Sequence, residues 1–165
     1  MKKPKEKTKI KFLLGHSGTG LTSYALFLGL KETKNKKVLF IAGKDTKHSI
    51  RRKLNRVNRW EDLDLNLDNF ALISITNCSD CNWDLRRVLK PIPWDYNQIN
   101  NLVIIDPVFL FEYSAMDFLK SISFLKTDIL LVSSENMFQK MGFECKYNFL
   151  QIPQKYKKNF LVEEE

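Results

Sequence analysis

Three glycines and a threonine near the amino terminus form a pattern that can bind phosphate. Gly15, Gly18 and Gly20 precede Thr22, and an apolar run at residues 10–14 comes directly before them. Because glycine adopts positive φ without strain, such a segment can curl and point its backbone N–H groups at one place. A helix that starts at its end adds the positive potential of its N-terminus. The pattern therefore predicts a phosphate-binding loop between a strand and a helix.

The loop departs from the full phosphate-loop pattern at one position. That pattern is G-x-x-x-x-G-K-[ST], in which the lysine contacts the terminal phosphates and the hydroxyl holds magnesium. Leu21 stands where the lysine belongs. A charge-assisted hydrogen bond is worth about 1.5–3 kcal/mol, so we expect roughly ten- to hundredfold weaker binding. The candidate nucleotide-binding residues are Gly15, His16, Ser17, Gly18, Thr19, Gly20, Leu21 and Thr22.

An aspartate at the end of another apolar run is the second part of the candidate site. Residues 102–105 read Leu-Val-Ile-Ile, and Asp106 follows them. Ligands of open α/β sheets bind at the carboxyl ends of the strands, and a carboxylate there can hold Mg²⁺ in a phosphate-loop protein. Thr22 and Asp106 are therefore the predicted metal ligands. A strand that ends in aspartate by chance is the alternative.

Basic residues are concentrated in one predicted helix. The formal net charge is +8, and four of the six arginines lie between residues 46 and 59. A basic surface favours contact with nucleic acid or an acidic partner. A solvated helix face in a generally lysine-rich chain is the alternative. The candidate residues for nucleic-acid or partner binding are Lys47, Arg51, Arg52, Arg56 and Arg59.

The cysteines and histidines give little support to metal or redox chemistry. Cys78 and Cys81 form a C-x-x-C, whereas Cys145 stands alone. A structural zinc site needs further ligands at metal-binding spacing, and His16 and His48 are isolated. We therefore expect no zinc and no redox cofactor.

The overall composition is that of a globular protein. The chain is 44% hydrophobic and 28% charged, which is ordinary for soluble domains. No apolar run approaches the roughly 18 residues of a membrane span, and the charged amino terminus lacks an apolar signal region. We expect a cytoplasmic protein with no membrane partner.

Strand-like and helix-like segments alternate along the chain. This alternation predicts a three-layer α/β/α sandwich with a mainly parallel sheet and a C-terminal hairpin. Residues 1–9 are expected to be a basic mobile tail, 10–162 a single domain and 163–165 an acidic end. The predicted strands cover residues 10–14, 38–42, 70–75, 102–106 and 127–133, and the two arms of the hairpin cover 149–152 and 159–162.

These segments together resemble the RecA-like ATPase superfamily, most of all its branch of RepA-type replicative helicases. The matching segments are 15–22 as the Walker A loop, 38–45 as the next strand, 51–54 as the helix after it, 102–106 as the Walker B strand, 129–134 as the strand that senses the γ-phosphate, and 149–162 as the C-terminal strands. The resemblance covers residues 10–162. It implies a RecA-like core that binds ATP and Mg²⁺ and acts in DNA replication or in plasmid or phage DNA maintenance.

Several positions depart from the resemblance. Besides Leu21, Lys44 stands where the family carries a water-activating glutamate, and Asp45 follows it. Ser133 or Ser134 occupies the sensor position. Lys44 and Asp45 are the candidate catalytic residues. We therefore expect a degenerate phosphate-loop protein in which ATP and Mg²⁺ bind weakly and hydrolysis is weak or absent.

Two alternatives remain open from the sequence. In the first, the chain is an active, divergent ATPase in which Lys44 replaces the missing lysine. In the second, it is a non-catalytic subunit of a ring formed with itself or with a RecA-like partner. A silent subunit can supply an arginine to its neighbour, and the available donors are Arg51, Arg52, Arg86 and Arg87.

Overall fold

Strands and helices alternate as predicted over the first half of the computed structural model. The structure describes residues 9–16, 18–59, 66–75, 101–106, 119–120, 122, 125–142 and 148–154. Strands are β1 (Ile10–Gly15), β2 (Val38–Ala42), β3 (Phe70–Ser74), β4 (Leu102–Asp106), β5 (Asp128–Ser134) and β6 (Asn148–Leu150). Helices are α1 (Leu21–Glu32), α2 (Lys47–Val57) and α3 (Glu135–Met141), and a 3-10 turn covers Leu67–Asn69.

The strands form one sheet in the order β3-β2-β4-β5-β1-β6, and all the strand pairs described are parallel. This confirms the predicted α/β fold with a parallel sheet. The register places Gly15 opposite Ser134 and Ala42 opposite Asp106. The carboxyl ends of β1, β2, β4 and β5 therefore meet at one edge, where ligands bind in sheets of this kind.

Each face of the sheet carries its own buried apolar layer. Phe12 and Leu131 belong to one layer, and Phe138 of α3 packs edge-to-face on Phe12 with ring centroids 5.0 Å apart. Leu13 and Ile104 point to the opposite layer, which α1 and α2 cover. Helices therefore lie on both faces of the sheet. Burying each large apolar side chain contributes about 1.5–3 kcal/mol.

Helix α1 is buried more widely than its sequence pattern predicted. The helical spacing of Leu21, Ala25, Leu28 and Gly29 predicts a single buried stripe. The structure buries Tyr24, Leu26 and Phe27 as well and leaves Leu28 only partly covered. The reason is that α1 packs against both the sheet and α2. Gly29 permits the close approach, since a Cβ at this position would lie 2.9 Å from Ile104 Cδ1.

The sequence predicts that α2 starts near Thr46 and that α3 ends before Gly142, and the structure has both ends there. Thr46 caps α2, and its hydroxyl accepts a hydrogen bond of 3.1 Å from the Ser49 N–H. Gly142 ends α3 with a φ of 78°, the left-handed conformation that glycine favours. Strand β6 covers part of the first arm of the predicted hairpin, and it pairs with β1.

Some predictions lie outside the described residues. These concern the second hairpin arm at 159–162, the tail at 1–8, the end at 163–165, Ser17, all three cysteines, Arg86 and Arg87. In the part of the chain that is described, no helix is long and apolar enough to cross a membrane.

Candidate functional site

The glycine segment folds as a turn between β1 and α1. Gly18 and Gly20 have φ angles of 79° and 82°, so both positions need the left-handed freedom of glycine. Thr19 closes the turn by donating two hydrogen bonds to the His16 carbonyl, one of 3.3 Å from its N–H and one of 2.6 Å from its hydroxyl. The predicted order of strand, turn and helix is therefore observed.

The first turn of α1 has backbone donors that the helix itself does not satisfy. The helix begins with a 2.9 Å hydrogen bond from the Tyr24 N–H to the Gly20 carbonyl. Helical N–H groups bond to the carbonyl four residues earlier, and no carbonyl of the helix lies four residues before Leu21, Thr22 or Ser23. Their N–H groups therefore have no partner within the helix. Gly20 caps the helix without a side-chain hydrogen bond. This end of α1 is therefore suited to bind an anion.

A cleft of about 460 Å³ lies at this end of the helix, within the range of about 300–1,000 Å³ typical of small-molecule sites. It opens at the carboxyl edge of the sheet, beside the ends of β2, β4 and β5. The predicted site residues that line it are Gly18, Gly20, Leu21, Thr22, Lys44, Asp45 and Asp106. The structure thus brings together the loop, the candidate metal ligands and both candidate catalytic residues.

Other predicted site residues do not line this cleft. Gly15, His16 and Thr19 line a smaller cavity of about 170 Å³ with Glu135. The basic residues Lys47, Arg51, Arg52, Arg56 and Arg59 are exposed on or just beyond α2 and do not contribute to the cleft.

Asp106 is the buried carboxylate of the cleft. Its exposed fraction is 7%, and its backbone carbonyl accepts a 2.8 Å hydrogen bond from the Gly43 N–H. Burial raises the pKa of Asp106 to about 6, and the nearby Asp45 charge also acts to raise it. A side-chain interaction with Thr22 and the charges of Lys53 and Lys44 lower the pKa and offset part of this effect. At pH 7 the carboxylate is therefore mostly ionised in surroundings that oppose its charge. Such a group is suited to bind a cation.

The sequence matches no protein-family model and no curated protein. Function must therefore be inferred from the geometry and electrostatics of the cleft.

Leu21 places an apolar side chain at the base of the loop. The side chain packs back towards Gly15, where a Cβ would lie only 3.0 Å from Leu21 Cδ2. It also contacts the buried layer beneath α1. Position 21 thus contributes packing and no positive charge. Among the described residues that line the cleft, the lysines are Lys44 and Lys53.

Lys53 of α2 also lines the cleft, although the sequence pattern did not predict it as a site residue. Its Nζ lies 3.2 Å and 3.1 Å from the two carboxylate oxygens of Asp45, and both side chains are 25% exposed. A signal was present in the spacing. Lys53 follows Ile50 by three residues and precedes Val57 by four, so it lies on the buried stripe of the helix.

Asp45 is fixed by more than one interaction. Besides the ion pair with Lys53, its carboxylate accepts a 3.1 Å hydrogen bond from the Ser49 hydroxyl. Its backbone carbonyl accepts a 2.8 Å hydrogen bond from the Ser74 hydroxyl at the end of β3. Lys44, by contrast, is exposed at the rim of the cleft. The replacement of the missing loop lysine by Lys44 stays a prediction.

The two serines at the end of β5 have local structural roles. The buried Ser133 hydroxyl donates a 2.9 Å hydrogen bond to the Ser134 carbonyl. The Ser134 hydroxyl caps α3 and accepts a 3.3 Å hydrogen bond from the Met137 N–H. Both residues line the cleft, so a sensor role for either is compatible with their position and stays a prediction.

Proposed function

We propose that this chain is a degenerate RecA-like phosphate-loop protein that binds ATP and Mg²⁺ in the cleft. The observation that carries the proposal is that Thr22 of the loop and Asp106 of β4 line the same cleft, where the Thr22 side chain lowers the pKa of the buried Asp106 carboxyl. A hydroxyl and a carboxylate side by side are oxygen donors of the kind that Mg²⁺ prefers. These two residues would hold the ion, which supplies positive charge to the phosphate oxygens. The unsatisfied N–H groups of α1 would bind the phosphates themselves.

The strand order supports the RecA-like assignment over a chance glycine turn. Strand β5 lies between β1, which leads into the loop, and β4, which ends in Asp106. Ser133 and Ser134 at the end of β5 therefore lie between the phosphate loop and the acidic residue. This position agrees with the resemblance of residues 129–134 to a strand that senses the γ-phosphate.

Weak hydrolysis or none is expected from the charges in the cleft. Leu21 supplies no cation to the phosphates. Asp45 is held by Lys53 and Ser49, so its carboxylate is poorly available to activate water. Because catalysis of phosphoryl transfer is almost entirely positioning and electrostatic stabilisation, these features lower turnover more than they lower binding.

The exposed basic face of α2 supports a role in binding DNA. Lys47, Arg51, Arg52, Arg56 and Arg59 are exposed, and α2 carries no acidic residue. This surface fits the proposed role in DNA replication or in plasmid or phage DNA maintenance. A divergent active ATPase remains a second candidate because Lys44 lines the cleft. A silent ring subunit is a third, because Arg51 and Arg52 are free to reach a neighbouring copy on the surface.

The proposal is tested by titrating the protein with ATP in the presence and absence of Mg²⁺ while phosphate release is followed, with and without single-stranded DNA. We expect ATP binding that Mg²⁺ strengthens, with no phosphate release above background. Release stimulated by DNA and abolished in Lys44→Ala would instead support the active ATPase. The absence of ATP binding at millimolar concentrations would contradict nucleotide binding altogether.

A further inference from the structure

We propose that Lys53 of α2 is the phosphate-binding cation of this cleft, and that Asp45 holds Lys53 in place and competes with the phosphate for its charge. The proposal rests on the proposed function, because it names the residues that bind the anionic ligand in that same cleft. It assigns to α2 the positive charge that the loop lacks at Leu21.

The position of Lys53 favours it over Lys44. Its ammonium is fixed by both oxygens of Asp45, at 3.2 Å and 3.1 Å. Its helix position lies between the fully buried Ile50 and Val57, so its backbone is anchored against the core. Lys44 is an exposed residue at the rim, and ordering its long side chain costs more conformational entropy.

Lys53 lies in the same cleft as the residues proposed to bind the ligand. Lys53 and Asp45 line the same cleft as Thr22 and Asp106. The charge of Lys53 also acts on the Asp106 carboxylate, where it opposes the effect of Asp45. A phosphate group with more than one negative charge attracts the ammonium more strongly than a single carboxylate does. The Lys53 ammonium can therefore bind a phosphate either while it still contacts Asp45 or after it has left Asp45.

The proposal predicts effects of opposite sign for the two members of the pair. Lys53→Met removes the cation, and we expect its affinity for Mg²⁺–ATP and for pyrophosphate to fall ten- to hundredfold. Asp45→Asn releases the cation, and we expect affinity for the same two probes to rise by a factor of three or more. Lys44→Met tests the competing assignment, and we expect it to lose less affinity than Lys53→Met. Lys11→Met is the matched control, because it makes the same charge change at an exposed residue that does not line the cleft, and we expect less than a threefold loss.

A double variant separates the action of Lys53 from the general charge of the cleft. Asp45→Asn makes the cleft more positive whatever Lys53 does. If the gain acts through Lys53, it disappears when Asp45→Asn is combined with Lys53→Met. Lys53→Arg keeps the charge, and we expect it to retain most of the binding. Partly exposed ion pairs contribute little to stability, so we expect each variant to stay folded, which thermal unfolding checks.

The measurement is isothermal titration calorimetry of each variant with pyrophosphate and with Mg²⁺–ATP. Equal affinities of wild type and Lys53→Met would overturn the assignment of Lys53 while leaving the proposed function intact. A larger loss in Lys44→Met than in Lys53→Met would overturn it as well. If wild type binds neither probe, the proposed function fails and this assignment fails with it. If Lys53→Met does not fold, a failure of Asp45→Asn to raise affinity would still overturn the proposal.

Discussion

Thr22 and Asp106 line the same cleft, and the Thr22 side chain is close enough to lower the pKa of the Asp106 carboxyl, although β5 separates the strands that lead to these two residues. This proximity joins the first turn of α1 to the end of β4. It links the glycine loop and the acidic strand, which are more than 80 residues apart in the sequence, in a single site.

Asp106→Asn is expected to stabilise the protein at pH 8. Burial raises the pKa of Asp106 from its ordinary value of 3.8 to about 6, so the folded state binds this proton more tightly than the unfolded state. Stability contributed by the protonated carboxyl is therefore lost as pH rises from about 4 to about 6. Above pH 6, removing the ionisable group should therefore raise the free energy of unfolding by about 1–3 kcal/mol.

Chemical denaturation of Asp106→Asn and wild type at pH 4 and pH 8 measures this effect. The exposed Asp68 provides the matched control, because Asp68→Asn should change stability by less than about 0.5 kcal/mol at either pH. A loss of stability in Asp106→Asn at pH 8 would show that the buried charge is not a destabilising feature of the site.

Thr22→Val is expected to destabilise the protein at pH 8 by about 1–3 kcal/mol. The valine cannot donate a hydrogen bond to Asp106, so the buried carboxylate loses a partner that favours its charged form. At pH 4 the carboxyl is protonated, and the difference from wild type should shrink. Thr22→Ser keeps the hydroxyl and serves as the control. An equal loss at both pH values would indicate a packing effect of the new side chain rather than a lost hydrogen bond.

The overall fold could be predicted from the sequence because its signals are local. Apolar runs define the strands, Gly15–Gly20 defines the turn, and Thr46 and Gly142 define helix ends. The strand ends then bring Thr22 and Asp106 together by topology. What could not be predicted depends on contacts between distant elements. Burial around most of α1 requires α2 to pack on it, and the contact of Leu21 with Gly15 depends on the path of the turn.

The ion pair between Asp45 and Lys53 could be predicted from the sequence only in part. Helical spacing places Lys53 beside Ile50 and Val57, so its inward position was detectable. Six basic residues in one segment made an outward basic face the simpler interpretation. The partner was not detectable, because Asp45 precedes the helix and its direction depends on how β2 ends.

Leu21→Lys is expected to strengthen Mg²⁺–ATP binding about ten- to hundredfold. The substitution restores a cation at the position that contacts the terminal phosphates in a complete phosphate loop. Leu67, which is 62% exposed and does not line the cleft, provides a control with the same change of charge. Equal gains in Leu21→Lys and Leu67→Lys would mean that net charge, and not the loop, governs the affinity.

Reversing charge on the exposed face of α2 is expected to weaken the binding of single-stranded DNA. For Arg51→Glu combined with Arg52→Glu, we predict that the affinity for single-stranded DNA falls at least about tenfold. The slope of log affinity against log salt concentration should also become shallower by about one to two. The control combines Lys34→Glu with Lys37→Glu, at the amino edge of the sheet. Fluorescence anisotropy over a salt series measures both quantities. The same loss in both double variants would point to net charge rather than to a surface on α2.

The most direct test of the central claim is the dependence of ATP affinity on Mg²⁺ in wild type and in Asp106→Asn, measured by calorimetry at pH 8. If Thr22 and Asp106 hold the ion beside the loop, Mg²⁺ strengthens ATP binding to wild type and has little effect on the variant, which still binds ATP through the N–H groups of α1. An equal effect of Mg²⁺ on both proteins would contradict a shared phosphate and metal site.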